Sequence, residues 1–303
     1  MTVNTVQNID FLKNDLPDKC ANLIIADPPY YKTKGEFDFI WKTFEDYLVD
    51  VEKWCLECKR ILADNGTLFW YGDAKNIAYA QIIFDKHFNL LNSIVWENTN
   101  DHKQQIRFNE DLRTFAPLTE RILMYENNIE IINPFSREIA KGMNNYNLRE
   151  IDFRKLRPSK NGNLTGWCSN IILGSSNPTK NDWNMIETII KSSKKYECLL
   201  KEYDELRRPF NNSLHLGDVI RLPNYETSDY DHDTIKPEKL TRILITTCSR
   251  ENDLVVVPFA GSGTECAMGV KEGLKVYGYE ITEKHANMSN ERMKPLLTQT
   301  SLF

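Results

Sequence analysis

Residues 23–30 read LIIADPPY, and this stretch decides the fold. Leu23, Ile24, Ile25 and Ala26 form an unbroken apolar run, the pattern of a strand buried on both faces of a parallel sheet. Pro28 and Pro29 follow, and neither has a backbone N–H with which to continue a ladder. The chain is therefore expected to leave the sheet at Asp27. In an open α/β sheet the carboxyl end of a strand is where ligands sit. The stretch thus reads as a rigid presenter of one carboxylate (Asp27), one carbonyl (Pro28) and one aromatic face (Tyr30). The plainer alternative is a strand that ends in a capped turn, and the rest of the chain decides between them.

Working outward, residues 43–63 carry apolar side chains at helical spacing: Phe44, Leu48, Val51, Cys55, Cys58 and Leu62. Asp64-Asn65-Gly66 supplies turn chemistry that should stop this helix. A strand over 67–71, a helix over 73–86 and strands over 88–96 and 121–125 follow. This alternation predicts a mostly parallel sheet. From 127 to 222 Asn, Ser, Lys and Arg dominate, and one clear helix is expected, over 182–207. Regular order then returns, with helices over 236–248, 264–272 and 283–293 and strands over 254–257 and 275–280. The expected organisation is one α/β domain (1–126 and 223–303) interrupted by an insert (127–222).

Composition sets the bounds. The 303 residues are 41% hydrophobic and 27% charged, an ordinary globular balance. No apolar run approaches the roughly 20 residues that span a bilayer, and the first residues, MTVNTVQNIDFLKN, carry no secretory pattern. Seven scattered cysteines read as reduced thiols in a cytoplasm. Cys55 and Cys58 form a lone C-x-x-C on a helical face with no second pair, so no metal site is expected. The net charge of −5 does not advertise a nucleic-acid binder. Residues 137–160 nevertheless hold seven basic side chains against three acidic ones, the local patch that phosphate contact requires.

The returning segment reads DLVVVPFAGSGTECAMGVKEGLKVYGYE, residues 253–280. A buried strand enters a loop in which Gly261 and Gly263 permit a tight turn, and a helix follows whose first N–H groups are free. The next strand ends at Glu280, where an acid can accept both hydroxyls of a ribose. Loop, helix, strand and terminal acid together indicate a nucleoside ligand. There is no G-K-[ST] for a triphosphate and no G-x-G-x-x-G for a dinucleotide.

D-P-P-Y early, F-x-G-S-G-T late and a variable insert between them resemble an amino-group DNA methyltransferase of the beta order. HDTIKP (232–237) is similar to that family's H-P-T-Q-K-P, and LADNGTLFWYGD (62–73) to its L-K-P-G-G-T strand entry. The resemblance covers about 1–126 and 223–303, and the insert matches no named motif, as expected of a target-recognition region. It implies a Rossmann-like S-adenosylmethionine-dependent methyltransferase fold, with helices on both faces of the sheet. It further implies methyl transfer to the N6 of a flipped adenine in double-stranded DNA, in a bacterial or phage cytoplasm. A cognate restriction endonuclease and a homodimer are open as partners, and no membrane is involved. Cytosine-N4 transfer is the near alternative, although those enzymes more often carry S-P-P-[YW]. A silent nucleic-acid-binding partner is the other.

The resemblance also assigns residues. Asp27, Pro28, Pro29 and Tyr30 are catalytic. The cofactor takes Asp10, Ala26, Thr234, Lys236, the loop of Pro258, Phe259, Ala260, Gly261, Ser262, Gly263 and Thr264, and Glu280 on the ribose. The basic stretch of the insert, rather than the resemblance, supplies Arg149, Arg154, Lys155 and Arg157 as the expected DNA contacts. The family usually reads D-P-F before its glycines, whereas Val257 stands in the acid's place here. Asp10 and Asp27 are the candidates to substitute for it.

Overall fold

The computed structural model describes residues 3–32, 40–99, 115, 118–127, 134–146, 148–149, 152–153, 156, 166–192, 206–224 and 235–300. The chain divides into two compact units, residues 1–128 with 209–303, and residues 129–208.

The larger unit is built on one eight-stranded sheet. Its strands are β1 (Thr5–Gln7), β2 (Ala21–Ala26), β3 (Leu62–Asp73), β4 (Phe88–Asn98), β5 (Thr119–Asn127), β6 (Val219–Leu222), β7 (Leu254–Val257) and β8 (Lys275–Tyr279). They lie in the order β1-β8-β7-β2-β3-β5-β4-β6. All neighbours are parallel except at β5, which runs antiparallel to both β3 and β4. The sheet is thus mostly parallel, as the sequence predicts, with one reversed strand inside it.

Both faces are covered. Leu23 and Ile25 of β2 join Val255 and Val257 of β7 in one apolar cluster, while Ile24, Ala26 and Val256 join the opposite one. This is the two-sided burial that the run at 23–26 implies. Helices α1 (Phe44–Ile61) and α2 (Ile77–Phe84) pack on the second face through Val51, Cys55, Cys58 and Phe84. The other face takes three helices of the returning segment, here numbered α6 (Glu238–Cys248), α7 (Thr264–Lys271) and α8 (Glu283–Thr300), through residues such as Leu244, Cys266 and Met293. Cys55 and Cys58 are both fully buried, and burial pushes the Cys55 thiol up to about 12.

Two local readings need correction. Thr43 caps α1 in a reciprocal box with Asp46, but the helix ends at Ile61, and β3 runs straight through Asp64-Asn65-Gly66. The turn chemistry survives as an irregularity: β2 advances from Ala21 to Leu23 while β3 advances from Leu62 to Thr67. A Cβ on Gly66 would stand 2.6 Å from Leu62 Cδ1, so the bulge also needs glycine for space. Further along, residues 209–222 belong to the sheet unit rather than to the insert, because β6 pairs with β4 at the sheet edge.

The smaller unit contains α3 (Pro134–Tyr146), α4 (Gly166–Ile172) and α5 (Lys180–Ser192), so it is richer in helix than its composition suggests. Phe135, Ile139, Cys168, Trp183 and Ile186 form its core. Thr179 and Asp182 exchange side-chain-to-backbone hydrogen bonds at the start of α5.

Strand β1 is an edge, and the chain after it carries Asp10 to the carboxyl end of the sheet. Asn290 of α8 holds this edge: Val6 N–H donates to its Oδ1, and its Nδ2 donates to Val6 O, each at 2.9 Å. Asn290→Ala leaves two backbone groups of a buried residue without partners, at about 1–3 kcal/mol each. A loss of about 2 kcal/mol or more in urea unfolding is expected, and an unchanged midpoint would refute the role of Asn290.

Candidate active site

Strand β2 passes to β3 through α1 on one face of the sheet. Its neighbour β7 passes to β8 through α7 on the other. A crevice therefore opens between the carboxyl ends of β2 and β7, the switch point at which open α/β sheets bind ligands. Asp27 follows β2, the 258–264 loop follows β7, and Glu280 follows β8. A cavity of about 380 Å³ lies there.

The glycine loop is held from several sides. Gly261 and Gly263 have φ of +48° and +78°, the region that glycine enters freely. Gly263 also lies so close to α8 that a Cβ would meet Ser289 Cα at 2.7 Å. Ser289 donates to Gly261 O at 2.8 Å, and Arg292 donates to Thr264 Oγ1 at 2.9 Å. Glu280 Oε2 accepts from Gly261 N–H at 2.9 Å, and Oε1 accepts from Thr282 N–H at 2.8 Å. The acid is thus fixed at the cavity wall by the loop it faces. Phe11, Trp41, Trp54 and Phe259 line the same cavity with aromatic surface.

At its other end the cavity reaches a buried polar cluster. The Lys236 ammonium stands 2.8 Å from Asp27 Oδ2 and 3.2 Å from Glu120 Oε2. The Tyr30 hydroxyl donates to Asp27 Oδ1 at 2.6 Å. Lys236 also lies 5.5 Å and 5.2 Å from the ring centres of Tyr30 and Tyr71, in cation–π range. Burial works against the charge on Lys236, but Asp27 and Glu120 outweigh it and raise its pKa above the ordinary lysine value. Burial, then Asp27, holds the Tyr30 hydroxyl protonated far beyond the usual phenol range.

Asp10, Asp27, Pro28, Pro29, Tyr30, Lys236, Pro258, Phe259, Ala260, Gly261, Ser262 and Glu280 all line the cavity. Ala26 is buried behind it, and Gly263 and Thr264 form the helix start rather than the wall. Asp10 caps the short helical turn at Phe11–Lys13 by accepting from Leu12 N–H. Arg149 is exposed in the smaller unit. Thr234, His232, Arg154, Lys155 and Arg157 lie outside the described residues. Tyr30 does not present an open stacking face: it is 7% exposed, with its hydroxyl turned onto Asp27. Val257 is 1% exposed in the apolar core, so β7 brings no acid to the cavity.

Sequence reasoning passed over Glu120 and Glu265. Glu120 precedes the apolar run of β5, and only the reversal of that strand carries it to the carboxyl end of β3, opposite Asp73. Glu265 follows the glycine loop directly, and an acid inside an otherwise apolar helix start is the signal that was available. It is 5% exposed, lines the cavity and accepts from the Thr241 hydroxyl at 3.4 Å.

A cavity of about 380 Å³ at the switch point, walled by a strand-end acid, a glycine loop and a braced carboxylate, is the candidate ligand site of a doubly wound sheet. The chain belongs to the DNA methylase family, whose N6/N4 methyltransferase profile matches residues 21–291. It is 26% identical over 286 residues to the DNA adenine methyltransferase YhdJ of Escherichia coli K12, covering 92% of this chain and 78% of that protein. It is 24% identical to the type II methyltransferase M.HinfI of Haemophilus influenzae, covering 97% and 69%. A DNA modification methylase of Thermus thermophilus, solved in complex with S-adenosyl-L-methionine, superposes with a TM-score of 0.55 at 17% identity, over 96% of this chain and 93% of that one. The cytosine-N4-specific PvuII DNA methyltransferase gives 0.55 at 13% identity, over 97% and 93%. The last two establish the fold, a Rossmann-like methyltransferase sheet.

Burial, and next the charge of Asp27, push Glu265 up to about 7 from 4.5. Between those values the folded protein keeps a proton that the unfolded chain has released, so stability falls as pH rises through this window. Glu265→Gln removes the penalty. The variant should melt several degrees above the parent at pH 8, with the gap closing near pH 4.5. Equal melting at both values would show that Glu265 carries no such burden.

Proposed function

We propose that this protein is a DNA methyltransferase of the beta order that methylates the exocyclic N6 of a flipped adenine, with S-adenosylmethionine as methyl donor. The observation that carries the reading is the carboxylate of Asp27, held by Lys236 and Tyr30 at the buried end of the cavity that the glycine loop and Glu280 wall. The cavity suits the cofactor: aromatic walls for a purine, an acid fixed on the loop for ribose hydroxyls, and carboxylates in excess for a cation. Bound there, S-adenosylmethionine supplies an electrophilic methyl group on a sulfonium.

The chain's own residues do the rest. An adenine amino nitrogen is a poor nucleophile because its lone pair is delocalised into the ring. Asp27 accepts one amino hydrogen and the Pro28 carbonyl accepts the other, which draws the nitrogen toward a tetrahedral shape and frees its lone pair. As the new N–C bond forms, positive charge grows on nitrogen, and the same two acceptors stabilise it. The surplus amino proton leaves to water afterwards. Lys236 and Tyr30 each occupy one Asp27 oxygen, so the carboxylate is oriented before the base arrives and is not reorganised during transfer. Turning the base out of the duplex costs a few kcal/mol, and aromatic stacking returns about 1–3 kcal/mol per base. The insert supplies target recognition, with Arg149, Arg154, Lys155 and Arg157 on the phosphates. The same reading implies a bacterial or phage cytoplasm and leaves a homodimer and a cognate restriction endonuclease open as partners.

Incubation with unmethylated DNA and nucleoside analysis tests the reaction. N6-methyladenine is the expected product, N4-methylcytosine would redirect the reading, and no product would leave only a binding protein. Asp27→Ala should abolish transfer while calorimetry still shows cofactor binding. Appreciable N6-methyladenine from that variant would sink the assigned role. Tyr30→Phe keeps the ring and loses the hydroxyl bond to Asp27, so kcat should fall about tenfold, the worth of one such bond.

Neutralising Arg154, Lys155 and Arg157 together should weaken DNA binding and flatten its salt dependence. The log–log slope should drop by close to one unit for each phosphate that the protein no longer neutralises. An unaltered slope would remove this cluster from the DNA interface.

A further inference from the structure

Among the described residues, the cavity wall and the cluster behind it hold more carboxylates than cations. Asp27 and Glu265 line the wall, and Glu120 joins Asp27 on the single ammonium of Lys236. Arg292 is the next cation, but its guanidinium is spent on Glu238, at 2.7 Å, and on the Thr264 hydroxyl. Asp50, farther along the wall, is matched by its own Lys53 at 2.7 Å. Of the acids at this end, Asp27 has both oxygens engaged by Lys236 and Tyr30. Asp10 caps a helical turn. Val257 leaves β7 without any acid to offer.

Glu265 differs from these. It is nineteen-twentieths buried at the first turn of α7, and the hydrogen bond it draws from Thr241 is long. The groups that act on it are Asp27 and Lys236 across the cavity floor, Arg292 from α8, Thr241 from α6 and Tyr71 from β3. A buried carboxylate so placed is costly until a positive charge reaches it. We propose that Glu265 is the charge partner of the cofactor's sulfonium, in a cavity to which the end of β7 brings no acid. The inference rests on the S-adenosylmethionine reading above.

A consequence separates this role from simple packing. The Glu265 proton, held at neutral pH by burial, is driven off to solvent when a cation binds beside it. With its pKa pushed up to about 7, Glu265 keeps part of its protonation at neutral pH, so a fraction of a proton should leave per cofactor bound. S-adenosylhomocysteine has lost the sulfonium charge and should displace less.

Calorimetric titration of the full chain with each ligand, at pH 7 in buffers of different ionisation enthalpy, counts those protons. The parent protein should release more with S-adenosylmethionine than with S-adenosylhomocysteine, and its affinity for the former should climb with pH through about 7. Glu265→Gln should abolish both the difference and the pH dependence. It should also cut the preference for the charged ligand about tenfold, the factor that about 1.4 kcal/mol represents. Parent-like affinity and proton count in a Glu265→Gln protein that melts cooperatively would overturn the inference. So would equal proton release with the two ligands by the parent, a measurement that needs no variant. Failure of the parent to bind either ligand would instead bring down the cofactor reading, and this inference with it.

Discussion

One buried ammonium organises the active end of this protein. Lys236 enters from the turn before α6 and meets Asp27 from the end of β2 and Glu120 from the start of β5. Glu265, from the start of α7, acts on it through its charge. These residues are scattered through most of the chain, and the sheet order alone brings them together. In a medium of low polarity an isolated lysine charge is untenable, and so are unpaired carboxylates. Each element must therefore arrive for the others to be tolerated. Replacing such a cluster by apolar side chains often costs little stability, whereas removing one partner costs about 3–5 kcal/mol. The cluster thus does less to hold the fold together than to hold Asp27 in one orientation.

What is legible in the sequence is local. The run 23–26 declares a two-sided strand because every side chain in it is apolar, and the prolines declare where it stops. Gly261, Gly263 and Glu280 announce a nucleoside loop because turn, helix start and strand end lie within 20 residues. The strand, the tight turn and the helix start fold as read because their physics is contained in the segment that carries them. The bulge at 64–66 marks the limit: Asp-Asn-Gly does interrupt regular pairing, but whether the interruption becomes a turn or a bulge depends on β2, which lies elsewhere in the chain.

The residues that escape such a reading depend on partners remote in sequence. An apolar run such as that of β5 has the same composition whichever way it points, and its reversal is set by β3 and β4 on either side. Only that reversal places Glu120 beside Lys236. The orientation of Tyr30 is likewise set by its hydrogen-bond partner. An aromatic ring after two prolines can point outward or inward, and the deciding factor is a carboxylate within 2.6 Å of its hydroxyl. An outward ring would offer a stacking surface. The inward one instead commits its hydroxyl to the acid, beside a cavity whose wall also carries Phe11, Trp41, Trp54 and Phe259.

The position of the negative charge follows from the same constraint on burial. At the end of β7 the sheet packs Val257 into an apolar cluster, where a carboxylate would have no cation and no water. At the first turn of α7, eight residues later, free backbone N–H groups and the field of Lys236 and Arg292 make a carboxylate bearable, though burial still pulls it toward neutrality. An acid in that condition responds to its surroundings. It is partly neutral in the empty protein and gives up the rest of its proton when a cation is delivered. With Glu265 in the proposed role, the cavity discriminates by charge between a sulfonium donor and the neutral thioether left after transfer, which favours product departure as well as substrate entry.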